Sequence, residues 1–452
     1  MYRLGCLIVC AFGFTFCFAA YYPGLLSPDA LSIYRQATSF SFSDWHAPMM
    51  GLLWALLDRL THGPQGMLAL LLTLYWGALF VLTVAASRIN RLIAPAMLVL
   101  GFMPFTINFA GTLWVDVLLA TSWLMCSALA FSAYIRGRPI SMVRAAMSWL
   151  FFLVGAWSRP NTLFAAIPLG LYLFRPRGVS RALQRTALVA MVAAGIWCGN
   201  WVMSYLVLHA ERTYPIHSIV TFDLAGISHF SGINYLPSTW SADETAKITK
   251  SCYTPQSWNE YAYGDCRFVR DRLRNEGLWG SMALWRAWIA AVSREPTAYL
   301  QHRWAHFLYF MTTVEYVLHE GNDAGEIYRR VHENFGFEIL REYILRATQL
   351  WMFRPIFWFA LACASFVMSR HLPERSHRFV TTLALSSLIY LATYFFVGVA
   401  SNFRYAYWAV LATGAASVIL ACEWGVRLRR EWHQFRIVGE APILLQKSKI
   451  AR

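Results

Sequence analysis

Apolar residues gather into ten runs along this chain, near 4–21, 66–87, 92–108, 115–135, 143–157, 160–174, 187–208, 349–369, 379–399 and 406–423, with charged residues held mostly to the gaps. A helix of about 20 apolar residues spans the hydrocarbon of a bilayer. The pattern therefore predicts an all-α, polytopic membrane protein with about ten transmembrane helices. The fifth and sixth runs are short and flank Ser158-Arg159-Pro160-Asn161, where Pro160 forces a break. Two other stretches fall short of a crossing. APMMGLLWALLDRL, residues 47–60, ends in Asp58-Arg59 and predicts a helix lying at the interface or dipping into it. Residues 301–318 carry His302, Arg303, His306 and Glu315, which predicts an amphipathic segment.

Between the seventh and eighth runs, residues 209–348 carry enough polar sequence for a small external subdomain of two or three helices. GLWGSMALWRAWIAAVSREPTAYLQHRWAHF reads as helix with a proline break. The expected organisation is a membrane module over 1–208, an external segment over 209–348, membrane helices over 349–426 and a basic tail over 427–452.

Charge orients the runs. With the N-terminus placed in the cytoplasm, the inner loops and tail hold 20 of the 39 basic residues. They include Arg3, Arg88, Arg91, Arg136, Arg138, Arg175, Arg177, Arg181, Arg370 and Arg375. The short outer loops hold four, Arg35, Arg59, Arg159 and Arg404. Excess Lys and Arg in cytoplasmic loops is the positive-inside signature. It predicts both termini in the cytoplasm and the loops carrying Asp29 and Asp116 on the opposite side.

Composition agrees with the pattern. The chain of 452 residues is 58% hydrophobic and 14% charged, where a soluble protein sits near 25% charged. A net charge of +15 invites a nucleic-acid reading, but the basic residues are spread over inter-helix loops rather than gathered on one domain. No nucleic-acid partner is expected. MYRLGCLIVCAFGFTFCFAAYY carries one Arg and no clear small-residue cleavage site, and reads as a retained first span. Seven of the nine cysteines fall in the apolar runs, and Cys252 and Cys266 lie outside them, free to pair in an oxidising compartment.

The candidate chemistry sits in the outer loops. In SPDALSIYRQATSFSFSDWHAP, Ser27 can cap a helix, Pro28 suits its first position, and Asp29 falls in the first turn. Asp29 suits simple capping, or catalysis beside Asp44, Trp45 and His46 on the same face. In AGTLWVDVLLATSW, Asp116 enters a span at the interface, where acids are functional candidates or snorkelling residues. Arg404-Tyr405 lies between the last two runs, where a guanidinium can hold a phosphate or a lipid headgroup. Arg159 can act likewise or pair with an acid. His46 can donate to a phosphate, orient a carboxylate, or be structural. No phosphate-binding loop, nucleophile elbow or zinc pattern is present in the sequence. Asp29 and Asp116 are carboxylates of the kind that hold a divalent cation, and the sequence leaves that metal open.

The outer acid after the first span, the interfacial helices, DWHAP, the second outer acid and the late Arg-Tyr together resemble the GT-C superfamily of integral-membrane glycosyltransferases. The nearest likeness is to the bacterial branch related to protein O-mannosyltransferases and the lipid A aminoarabinose transferase. The resemblance implies a catalytic acid at Asp29, a second acid at Asp116, juxtamembrane helices near 30–39 and 47–60, and a donor-phosphate motif at Arg404-Tyr405. It covers 1–175, is thin over 209–348, and returns over 379–423. Many relatives carry two adjacent acids where this chain has Asp29-Ala30, which weakens an inherited metal. The stretch PIHSIVTFDLAGISHF, with Asp223, is similar to a group of uncharacterised bacterial relatives and carries no assigned role.

The expected activity is transfer of a sugar from a polyprenyl-phosphate donor to an envelope lipid, glycan or protein, at the periplasmic face of a bacterial inner membrane. Catalysis falls to Asp29 and Asp116, and substrate binding to Asp44, His46, Arg159, Arg404 and Tyr405. The alternatives are a polysaccharide polymerase or ligase, which places its chemistry at residues such as His302 and Arg303, and a lipid flippase or transporter.

Overall fold

The computed structural model describes residues 1–137, 140–174, 182–319 and 330–450, without the side chains of 182–185 and 432–450. Arg138, Arg175, Arg177 and Arg181 of the basic loops lie outside the described residues, as does Arg452 of the tail. The described chain is helical, with no strands and three isolated bridges. Along the first half run α1 (Tyr2–Tyr21), α2 (Pro28–Ser39), α3 (Met49–Thr61), α4 (Gln65–Ala86), α5 (Ala96–Phe102), α6 (Pro104–Ile107), α7 (Val115–Tyr134), α8 (Met142–Ala156), α9 (Thr162–Phe174) and α10 (Ala182–Trp201). A π-helical turn over Val202–Val207 extends α10. The segment expected to be external, 209–348, holds α11 (Ile216–Ser231), α12 (Ala242–Lys250), α13 (Asn259–Ala262), α14 (Arg267–Asn275), α15 (Met282–Arg294), α16 (Pro296–Thr312) and α17 (Phe335–Ala347), more helices than the two or three expected. The chain closes with α18 (Pro355–Ser369), α19 (Glu374–Val397) and α20 (Tyr407–Ile450).

Six of these stretches are long and apolar enough to cross a membrane: α1, α4, α7, α19, Thr186–Val207 and Phe403–Glu431. α8, α9 and α18 are apolar but shorter. Several such helices suggest a multi-pass membrane protein. The buried axis is α7, which packs on α4, α8 and α20. Helices are present where the juxtamembrane pair was expected, as α2 and α3, and Tyr34 of α2 donates to Asp58 of α3 across 2.9 Å.

The expected single span over 92–108 is a correction. Pro104 gives that run its break: Met103 is extended, and α5 and α6 are separate short helices. The run still travels the length of α1. Arg91 sits 5.8 Å from the ring of Tyr2, at one end, while Thr112 bridges Leu25 just beyond the other. Irregular backbone at membrane depth survives only where protein satisfies it. Here Tyr75 donates to Gly101 O (2.7 Å), Tyr407 to Thr106 O (2.6 Å) and Tyr343 to Phe102 O (3.1 Å).

Residues 209–348 have their own apolar core, built from residues between Val220 and Ala298 and closed by the Cys252–Cys266 disulfide. The last part of that segment belongs elsewhere. Phe310, Phe337, Leu340 and Ile344 join the core of the membrane helices, and Asn334 donates to Ala19 O across 2.7 Å. The division at 348 therefore cuts through one packed unit.

α16 inverts the expected amphipathic arrangement. His302, Arg303 and His306 are fully buried, and the outward face is the apolar stripe Leu300, Trp304 and Leu308. Arg303 Nε lies 2.7 Å from Asp223, its Nη1 donates to Gly398 O at the end of α19 (2.9 Å), and His306 Nδ1 meets Pro255 O at 2.7 Å.

Candidate functional site

Two backbone hydrogen bonds bring the loop after α1 to the start of α7. Leu25 N donates to Gly111 O, and Leu113 N to Leu25 O, each at 3.0 Å. The close approach needs glycine at 111, because a Cβ there would collide with the ring of Tyr21. Ser27 then caps α2, accepting from Ala30 N (3.2 Å) and from Trp114 Nε1 (2.7 Å). One hydroxyl thus fixes the helix that carries Asp29 against the residue two positions before Asp116. Asp29 and Asp116 each fall in the first turn of their helix.

Each aspartate faces its own arginine. Arg404 donates to Asp29 across 3.0 Å, and Arg159, in the α8–α9 turn, pairs with Asp116. Both guanidiniums lie against Tyr405, at 4.7 Å for Arg159 and 4.9 Å for Arg404. Arg404 also lies 4.6 Å from the Trp114 ring and donates to the Tyr405 hydroxyl (2.9 Å). Tyr394 stacks on Tyr405 and accepts from Arg159 at 3.5 Å. Cations held against aromatic faces gain order as well as attraction.

The two pairs differ in access. The Asp29 side chain is 44% exposed and the Asp116 side chain 5%. Burial pushes the Asp29 carboxyl up, but Arg404, His46 and Arg159 together hold it below the usual carboxylate range. Burial, opposed by Asp29 and reinforced by Arg159 and Arg404, lowers His46 below the ordinary histidine value. The imidazole is therefore neutral at pH 7. Arg404 Nε is buried without an acceptor, and so is the Ser401 hydroxyl nearby in the chain. The site thus keeps an unused guanidinium donor beside its exposed carboxylate.

Asp44 does not share this cluster of contacts. Its carboxylate accepts from Tyr205 (2.9 Å), Thr213 N (2.6 Å) and Thr213 Oγ1 (2.7 Å), and its own N–H donates to Glu211 O. It ties the first loop to the start of the external segment. Asp29, His46, Asp116, Arg159, Arg404 and Tyr405 do come together. Trp114 and Tyr394 belong with them and carry no sequence signal beyond that of aromatic residues at an interface.

No family model, curated protein or solved structure matches this chain. The site stands on its geometry alone.

That geometry does not suit a divalent cation. No group of three or more His, Cys, Asp or Glu gathers among the described residues, and both aspartates already face guanidiniums. The polymerase or ligase alternative turned on His302 and Arg303. His302 bridges Asp223 (3.1 Å) and Tyr253 (2.9 Å), and Trp288 Nε1 donates to Asp223 (2.8 Å). Asp223, His302 and Arg303 are at most 1% exposed, which leaves no face for a substrate. The charged cluster instead fastens α11 and α16 to the end of α19.

Proposed function

We propose that this chain is a glycosyltransferase that takes its sugar from a polyprenyl-phosphate donor, with Asp29 as general base and Arg404 as the phosphate anchor. In this reading α5 and α6 together make one of ten crossings, both termini lie in the cytoplasm, and the Asp29 site faces the periplasm of a bacterial inner membrane. The observation that carries it is the Asp29–Arg404 pair, its carboxylate exposed, its guanidinium clamped between Trp114 and Tyr405 and its Nε without an acceptor.

The chemistry follows from that pair. A donor phosphate competes with Asp29 for Arg404, because a phosphate offers several acceptor oxygens to the fork. Losing the guanidinium frees the Asp29 carboxylate and raises its basicity. Asp29 then accepts the proton of the acceptor hydroxyl, whose oxygen attacks the anomeric carbon. The carbon–oxygen bond to phosphate breaks, and the polyprenyl phosphate leaves with the electron pair. Arg404 and the neutral His46 stabilise that leaving anion. Asp116 holds Arg159 in place beside Tyr405. One displacement by one base predicts inversion at the sugar.

The test is mass spectrometry of lipid-linked sugars from a deletion strain, complemented with the intact chain or with Asp29→Asn. Accumulation of a polyprenyl-phosphate sugar in the deletion, cleared by the intact chain and not by the variant, is expected. Near-normal turnover by Asp29→Asn overturns the assignment.

A further inference from the structure

At the other end of α1, about 30 Å from Asp29 at 1.5 Å per residue, lies a second polar site. Tyr2, Arg3, Val84, Ser87, Arg88 and Arg91 line a cavity of about 450 Å³ there. Three arginines converge on it from segments more than eighty positions apart in the sequence. No carboxylate is among its lining residues. Some arginines of the chain are partnered, Arg378 with Glu374, Arg427 with Glu431 and Arg375 with Ile135 O. Arg3, Arg88 and Arg91 make no ion pair or side-chain hydrogen bond among the described residues, and Arg91 has only the face of Tyr2, at 5.8 Å. A concave site with three unneutralised guanidiniums is a receptor for a phosphoryl anion.

The walls say where that phosphate comes from. Leu7, one turn along α1 from Arg3, is 50% exposed, and Leu4 and Ile8 beside it are each 60% exposed. Leu92, next to Arg91, is 74% exposed. This apolar surface runs on from the basic cavity along the lipid-facing side of α1, where an acyl chain would lie. Basic pockets between membrane helices hold anionic headgroups in this way.

We propose that this cavity binds the phosphate headgroup of an anionic membrane phospholipid, with Arg3, Arg88 and Arg91 as the headgroup ligands and α1 as the acyl-chain wall. The site is independent of the reaction assigned to Asp29.

The test uses the full chain purified in detergent. Native mass spectrometry counts phosphatidylglycerol and phosphatidylcholine retained by the intact protein, by the triple variant Arg3→Ala/Arg88→Ala/Arg91→Ala, and by Arg370→Ala/Arg429→Ala/Arg430→Ala. The last removes equal charge outside the cavity. The intact protein and this control should keep a preferred phosphatidylglycerol. The cavity variant should bind it at least tenfold more weakly, with an unchanged unfolding temperature. Equal retention by all three proteins overturns the site, as does equal loss in both variants. Displacement of the lipid by millimolar inorganic phosphate, with phosphate then held by the lipid-free protein, overturns the lipid assignment.

Discussion

Arg404 reaches Asp29 across 3.0 Å and 375 positions of sequence. The start of α2 and the turn before α20 therefore meet in one place. The reading of that site makes measurable claims.

Asp29→Asn should lower transfer at least about a hundredfold, the usual share of a general base. Expression and unfolding temperature should stay close to those of the intact chain, because the side chain is 44% exposed. The measurement is transfer from a synthetic polyprenyl-phosphate sugar in detergent.

Arg404→Lys should fail almost as badly as Arg404→Ala. A lysine keeps the charge but cannot lie flat between Trp114 and Tyr405 or present a fork to phosphate. The expected loss in donor affinity is about 1.5–3 kcal/mol, or roughly ten- to a hundredfold. Donor titration of the two variants side by side decides it.

Arg159→Ala leaves Asp116, 5% exposed, without its cation. Stability should fall by about 3 kcal/mol. Replacing both partners, as Asp116→Asn with Arg159→Met, should recover part of it. Thermal unfolding in detergent follows both.

Removing the Cys252–Cys266 bridge by paired serine substitutions should cost the external segment about 3 kcal/mol, from the short loop it closes. Limited proteolysis should then cut first within 209–300.

Stability should fall as pH drops below about 6.5, the ordinary histidine value. Burial lowers His46 and His217 below that value, so the unfolded chain binds more protons there than the folded one. His217 adds a geometric reason, since its Nδ1 accepts from Gly280 N at 2.8 Å and loses that role on protonation. His46→Gln and His217→Gln should each flatten the slope between the ordinary and the lowered value, read from unfolding temperature against pH.

Much of this site was legible in the chain because charges are rare near membrane helices and each one needs a reason. Asp29, Asp116, Arg159 and Arg404 stood out on that ground alone. Their pairing was only half legible: an acid for Arg159 was one of two options, and an acid for Arg404 was not foreseen. Trp114 and Tyr394 were invisible, since aromatic residues line any membrane interface. The break at Pro104 inside the run over 92–108 was missed because its apolar content matched one continuous helix, while the decisive feature was where its carbonyls find donors. Asp44 was read as substrate-facing from its place in DWHAP, and its partners Tyr205 and Thr213 are more than 160 positions away.

The inverted face of α16 decides how the outer part of this chain can be handled. Excised as a fragment, residues 209–348 would keep the exposed apolar stripe of Leu300, Trp304 and Leu308 and strand Arg303 without the Gly398 carbonyl. Trp258 would lose Val399 O, and Phe403 would no longer supply its N–H to Glu315 O. A soluble ectodomain cut at those borders should aggregate, and any binding study of this region belongs on the intact polypeptide.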